Sequence, residues 1–87
     1  MVSPERGDIW WGEIEDYGRR PYLVLTRSAA IPVLSSLQVA PLTRRIRGIA
    51  TEIELGLADG VPDDCVVSLD NLLMVPKRRL FDRITSL

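Results

Sequence analysis

The sequence has no histidine and a single cysteine, Cys65, in 87 residues. Without histidine it lacks the side chain that most often moves protons near neutral pH, and the commonest nitrogen ligand for zinc. A lone cysteine excludes an intramolecular disulfide framework and fits a reducing compartment. Set in the apolar run DDCVVSL, it reads as a packed thiol rather than a nucleophile. No apolar stretch approaches the roughly 18 residues of a membrane helix. The start, MVSPERGD, has neither the basic head nor the apolar core of a signal peptide. There is no GxxxxGKS/T phosphate loop, no GxSxG elbow and no cysteine pair. Asp59, Asp63 and Asp64 sit in a turn-rich loop and read as solvated charges. These gaps make metal-dependent and covalent catalysis poor fits, and no metal site or cofactor is expected. The chain reads as soluble and cytoplasmic.

What is present suits one small domain. A chain of this length buries only somewhat more than roughly 60% of its unfolded surface, so a second copy adding burial is expected. The 46% hydrophobic and 26% charged content is that of a globular protein. The net charge of −1 conceals blocks. Residues 17–48 carry six arginines (19, 20, 27, 44, 45 and 47) and no acid, whereas residues 49–70 carry six acids and no base. Ten of the eleven basic residues are arginine, which suits bidentate phosphate contact.

Along the chain, GDIWWGEI predicts a strand from Asp8 to Ile14, with Trp10 and Trp11 on opposite faces. One of the two is therefore core, and the other is partly buried, lies at a dimer surface or stacks on a base. EDYG is a short polar connection. PYLVLT is a continuously apolar strand, central or buried on both faces. RSAAIPVLSS is a loop with one helical turn, and LQVAPL is a strand whose end Pro41 makes an edge or bulge. IATEIEL alternates as a half-exposed strand, GLADGVPDD is an acidic loop, and CVVSLDNLLMV is one or two strands broken near Asp70-Asn71. PKRRLFDRITSL begins as a short helix with Pro76 at its first position. Many short strands with Gly/Pro turns predict a mainly β fold, a small, strongly bent barrel or sandwich.

The chemistry left to such a chain is arginine, hydroxyl and carboxylate. That set fits an anionic substrate carrying its own nucleophile, and RNA is one: its 2′-hydroxyl attacks the adjacent phosphate if the protein positions and stabilises it.

At RGDIWWGEI, RPYLVLT and VAPLTRR, in that order, the chain closely resembles the MazF/PemK family of toxin endoribonucleases. DCVVSLDNL and KRRLFDRITSL continue the match over nearly the whole sequence. The resemblance implies an SH3-like barrel, shared with the CcdB-type gyrase poisons, with short helical segments and a dimeric state. It implies metal-independent cleavage of single-stranded RNA at a short sequence, leaving 2′,3′-cyclic phosphate and 5′-hydroxyl ends. The implied partner is a MazE-like antitoxin whose acidic C-terminal segment covers the RNA site. By position, the family's essential arginine maps to Arg20 and its essential threonine to Thr43. Asp70 matches the family's acid and is the alternative base, with a turn residue as the competing reading. Arg19, Arg44, Arg45, Arg47 and Asn71 are expected at phosphates or base edges, with Glu52 a second candidate for base edges. A guanidinium holds its proton tightly, so Arg20 suits an acid or an electrostatic clamp better than a base. EDYG is shorter than the loop many members close over RNA. The family continues into a C-terminal helix, whereas this chain stops at Leu87, so the expectation is one domain over residues 1–87 without that helix. Two other functions use the same barrel: a CcdB-like gyrase-binding toxin without catalysis, and a plain SH3-like interaction module.

Overall fold

A computed structural model describes residues 3–87. Seven strands run β1 Asp8–Ile14, β2 Gly18–Val24, β3 Ser36–Thr43, β4 Glu52–Leu55, β5 Cys65–Ser68, β6 Leu73–Pro76 and β7 Leu80–Ser86. Short 3₁₀ turns occupy Ile31–Val33, Leu57–Asp59 and Lys77–Arg79. All strand pairings are antiparallel. The order is β4-β5-β3-β2-β1-β7, with β6 also on β3. The mainly β class is as expected, although among the described residues no ladder closes β4 onto β7.

The apolar continuity of β2 has a direct cause, because both sheet faces at the centre are buried. Ile9, Leu23, Ala40 and Leu42 belong to one core, which also holds Val61, Cys65 and Val67. Their immediate neighbours Trp10, Tyr22 and Val39 belong to a second core, with Leu37, Val75 and Leu80. Strand alternation thus feeds two apolar layers, as in a sheet covered on both sides.

Three local readings change. Strand β2 starts at Gly18 rather than Pro21, so Arg19 and Arg20 lie inside it, opposite Glu13 and Gly12. Pro41 does not end β3. Its outer neighbour is β6 up to Val39 and β5 from Leu42, and Pro41 falls in the gap between them. A residue without an N–H forfeits no ladder bond there. The segment after Pro76 makes only one 3₁₀ turn and then a seven-residue strand on β1. Register shifts opposite Ile9/Trp10 and Trp11/Gly12 leave Ile84 and Phe81 as extra, bulged residues of β7.

Gly12 shows how tightly this row is packed. A Cβ there would lie 2.9 Å from Leu80 Cδ2, 3.0 Å from Tyr22 Cδ2 and 3.2 Å from the Arg79 carbonyl oxygen. Gly12→Ala is expected to cost about 1–3 kcal/mol, the range for overpacking a filled core. Urea denaturation of the variant checks this, and an unchanged midpoint refutes it.

Candidate active site

The β2–β3 ladder pairs Tyr22 with Pro41. Two residues beyond this last pair, on the two diverging strands, stand Arg20 and Thr43. Gly12 flanks Arg20 on the other side, and Val66 flanks Thr43. A single transverse row of the sheet therefore brings together two residues 23 positions apart in sequence.

Two hollows open at this row. The first, about 420 Å³, is lined by Trp11, Arg19, Arg20, Pro21, Leu42, Thr43, Arg44, Arg45, Val61, Pro62, Asp63 and Cys65. The second, about 280 Å³, is lined by Tyr17, Arg20, Pro41, Thr43, Arg45, Arg47, Ser68 and Asn71. Arg20, Thr43 and Arg45 border both, so they form the divide between them.

Arg20 is half-buried, with its guanidinium 6.0 Å over the Tyr17 ring. Pro21, which follows it, restricts its backbone to extended conformations. Thr43 Oγ1 accepts the Arg45 backbone N–H at 3.2 Å. That bond fixes the hydroxyl oxygen and leaves its proton available for donation. Arg19 spans two rings, 5.9 Å from Trp11 and 5.0 Å from Phe81. Arg44 is 79% exposed at its side chain and makes a loose ion pair with Asp63 at 3.8 Å. The first hollow thus gathers four arginines against one carboxylate, a field suited to a polyanion.

The other expected residues have different roles. Asn71 lines the second hollow and donates from Nδ2 to Ser68 Oγ at 2.9 Å. Asp70 lines neither hollow. It accepts from Thr51 Oγ1 at 2.6 Å and lies 3.8 Å from Arg47. Glu52 is committed elsewhere, with its side chain only 2% exposed. One oxygen accepts the Arg47 and Gly48 backbone N–H groups at 2.8 and 3.0 Å, and the other accepts Arg47 Nε at 2.9 Å. The Arg47 side-chain hydrogen bond leads in holding its carboxyl below the usual range, against the burial that raises it. Glu52 therefore shapes the loop that presents Arg47.

Cys65 borders the first hollow, yet it is buried. Burial pushes its thiol pKa up, and the charges of Asp64, Asp63 and Asp59 push it further. A thiol held neutral is a weak nucleophile. Iodoacetamide is expected to label Cys65 at pH 7 at least tenfold more slowly in the folded protein than in urea. Equal rates would refute this.

Residues 5–87 match the family model described as "PemK-like, MazF-like toxin of type II toxin-antitoxin system". The chain belongs to this toxin family. Among its relatives is the "Probable endoribonuclease MazF5" of Mycobacterium tuberculosis, 44% identical over 82 residues, covering 93% of this chain and 75% of that protein. The "Probable endoribonuclease MazF2" of the same species is 40% identical over 83 residues, covering 94% and 80%. Among solved structures, the M. tuberculosis toxin MazF-mt6 superposes with a TM-score of 0.85 at 35% identity, covering 92% of this chain and 79% of that one. A MazE–MazF complex from Deinococcus radiodurans gives 0.82 at 30% identity, covering 99% and 81%. As a MazF-like toxin, the chain falls in the endoribonuclease class. No helix among the described residues is long and apolar enough to cross a membrane.

Proposed function

We propose that this MazF-like toxin cleaves single-stranded RNA at a short sequence without a metal ion, with Arg20 and Thr43 as its catalytic pair. The observation that carries the reading is their meeting on the divide shared by two arginine-lined hollows. A strand laid across the divide places one phosphate at Arg20 and Thr43, with a neighbouring nucleotide in each hollow.

The 2′-oxygen on the 5′ side of that phosphate attacks phosphorus. The bond from phosphorus to the 5′-oxygen of the next nucleotide breaks, the 2′-hydroxyl gives up its proton to water and the departing 5′-oxygen takes one up, leaving a 2′,3′-cyclic phosphate and a 5′-hydroxyl. Negative charge grows on the non-bridging oxygens during the attack. Arg20 offers them a rigid fork of N–H donors and Thr43 an O–H, the arrangement that stabilises a developing oxyanion. Arg45 adds a second positive group on the divide. Arg44 and Arg47 hold flanking phosphates, and Asn71 meets a base edge in the second hollow. Asp70 serves as the anchor of Arg47 rather than as a base, because its carboxylate faces Thr51 and Arg47.

The toxin acts in the cytoplasm, as a dimer, under the control of an antitoxin. A related endoribonuclease has been solved with its cognate antitoxin, at a TM-score of 0.85 and 25% identity. An acidic peptide segment complements the same arginine field that RNA would occupy.

The nucleophile itself supplies the test. Once a cut site is mapped, an oligonucleotide carrying one 2′-deoxy sugar on its 5′ side should resist cleavage while the all-ribose form is cut. Cleavage of both at equal rates refutes the reading.

A further inference from the structure

Arg19 is held in an unusual way. Its guanidinium lies over two aromatic rings on two different strands, Trp11 on β1 and Phe81 on β7. Among the described residues it forms no ion pair, although Glu13 is its cross-strand neighbour. A surface arginine that needed only solvation would not require Phe81, a ring left 41% exposed. The bulge of β7 accounts for that exposure. Trp11 pairs with Asp82 and Gly12 with Leu80, so Phe81 is the extra residue. Bulges re-aim a side chain in this way and are common beside active sites. Leu80, next to it, still packs in the core.

Trp11 and Arg19 both line the first hollow, whereas Phe81 backs Arg19 from outside it. The hollow therefore has one wall made of the Trp11 ring and the Arg19 guanidinium that lies over it. Single-stranded nucleic acid is bound by just such surfaces, because every base stacks on an aromatic ring or a guanidinium plane.

The geometry points to Trp11, Arg19 and Phe81 as a base-stacking subsite, which seats the nucleobase flanking the scissile phosphate in the first hollow. This rests on the RNA reading above and adds the element that holds a base rather than a phosphate. Trp11 and Arg19 touch the base. Phe81 is a positioning residue that keeps the guanidinium flat against the wall. The subsite tolerates any base, so sequence preference comes from other contacts.

The test measures binding, independently of cutting. A short RNA oligonucleotide with a 2′-deoxy sugar at the mapped cut site is titrated into the protein by fluorescence anisotropy. If no cut is found, a labelled uridine homopolymer replaces it. The matching probe is abasic at one position but keeps every phosphate. Removing the base should weaken binding to the wild type roughly tenfold, the scale of one lost stack. Trp11→Ala should bind the intact RNA about as weakly and show little further loss with the abasic probe. Trp11→Phe should restore the difference, and Phe81→Ala and Arg19→Lys should each reduce it. RNA should also quench tryptophan emission in the wild type but not in Trp11→Phe, because Trp10 is only 6% exposed. Equal affinity of the wild type for intact and abasic RNA overturns the subsite. So do equal losses of base discrimination in Trp11→Phe and Trp11→Ala. Wild type that binds RNA with base discrimination but never cuts it would leave the subsite standing and sink the catalytic reading.

Discussion

Arg20→Ala should lower the single-turnover cleavage rate roughly 10²–10³-fold and leave thermal stability within about 0.5 kcal/mol of wild type. The two halves of this expectation have separate causes. The side chain borders two hollows and belongs to neither core, so removing it leaves no cavity in either core. Its N–H groups are offered where the phosphate gains charge, and losing donors from such a site costs about 3–4 kcal/mol of transition-state stabilisation. Arg20→Lys should recover little, because a point-charge ammonium does not reproduce a two-pronged hydrogen bond. Rate loss without loss of RNA affinity marks a group acting in the transition state. A rate within threefold of wild type would remove Arg20 from the catalytic pair.

Asp8→Ala should destabilise the fold by about 3 kcal/mol, the cost of stranding donors around a buried carboxylate. Asp8 is only 3% exposed. Its carboxylate accepts the Glu5 backbone N–H at 3.0 Å, Trp10 Nε1 at 3.2 Å and the Ser86 hydroxyl. The acid of the RGD stretch is thus a clasp joining the first strand to the last, and it lines neither hollow. Burial acts to raise its pKa, but the hydrogen bonds from Ser86, Trp10 and Glu5, with the charge of Arg83, hold it below the usual carboxylate range. A depressed folded pKa means that the unfolded chain binds the proton more readily. The Asp8 contribution is therefore complete above the unfolded value near 4 and fades as pH falls through the folded value. Urea denaturation of wild type and Asp8→Asn should show a gap at pH 7 that narrows below about pH 4. A gap independent of pH would contradict the assignment.

Patterns of period two were readable in the sequence wherever a strand ran without interruption. Strand β1 has the predicted bounds because β-branched and aromatic residues mark it, and β2 reads as buried on both faces because two cores claim its neighbouring residues. The short helical start after Pro76 was legible, but strand β7 beyond it was not, because bulges at Phe81 and Ile84 break its alternation. Arg20 and Thr43 were legible through family resemblance, but their meeting depends on β2–β3 register, which no single stretch encodes. Asp70 was read as either an alternative base or a turn residue, and in the fold it sits in the turn after β5, held by Thr51 and Arg47. Phe81 carried no signal at all, since its contact with Arg19 depends on a bulge in a strand that was not anticipated.

The central claim is that Arg20 and Thr43 let RNA cut itself through its own 2′-oxygen. It is tested most directly by the ends of the fragments. Purified protein is incubated with a long RNA in EDTA, and both new termini at each cut are identified. Discrete cuts bearing 2′,3′-cyclic phosphate and 5′-hydroxyl ends, lost in Arg20→Ala and Thr43→Ala, are the predicted result. Fragments with 5′-phosphate ends, or activity abolished by the chelator, would contradict it.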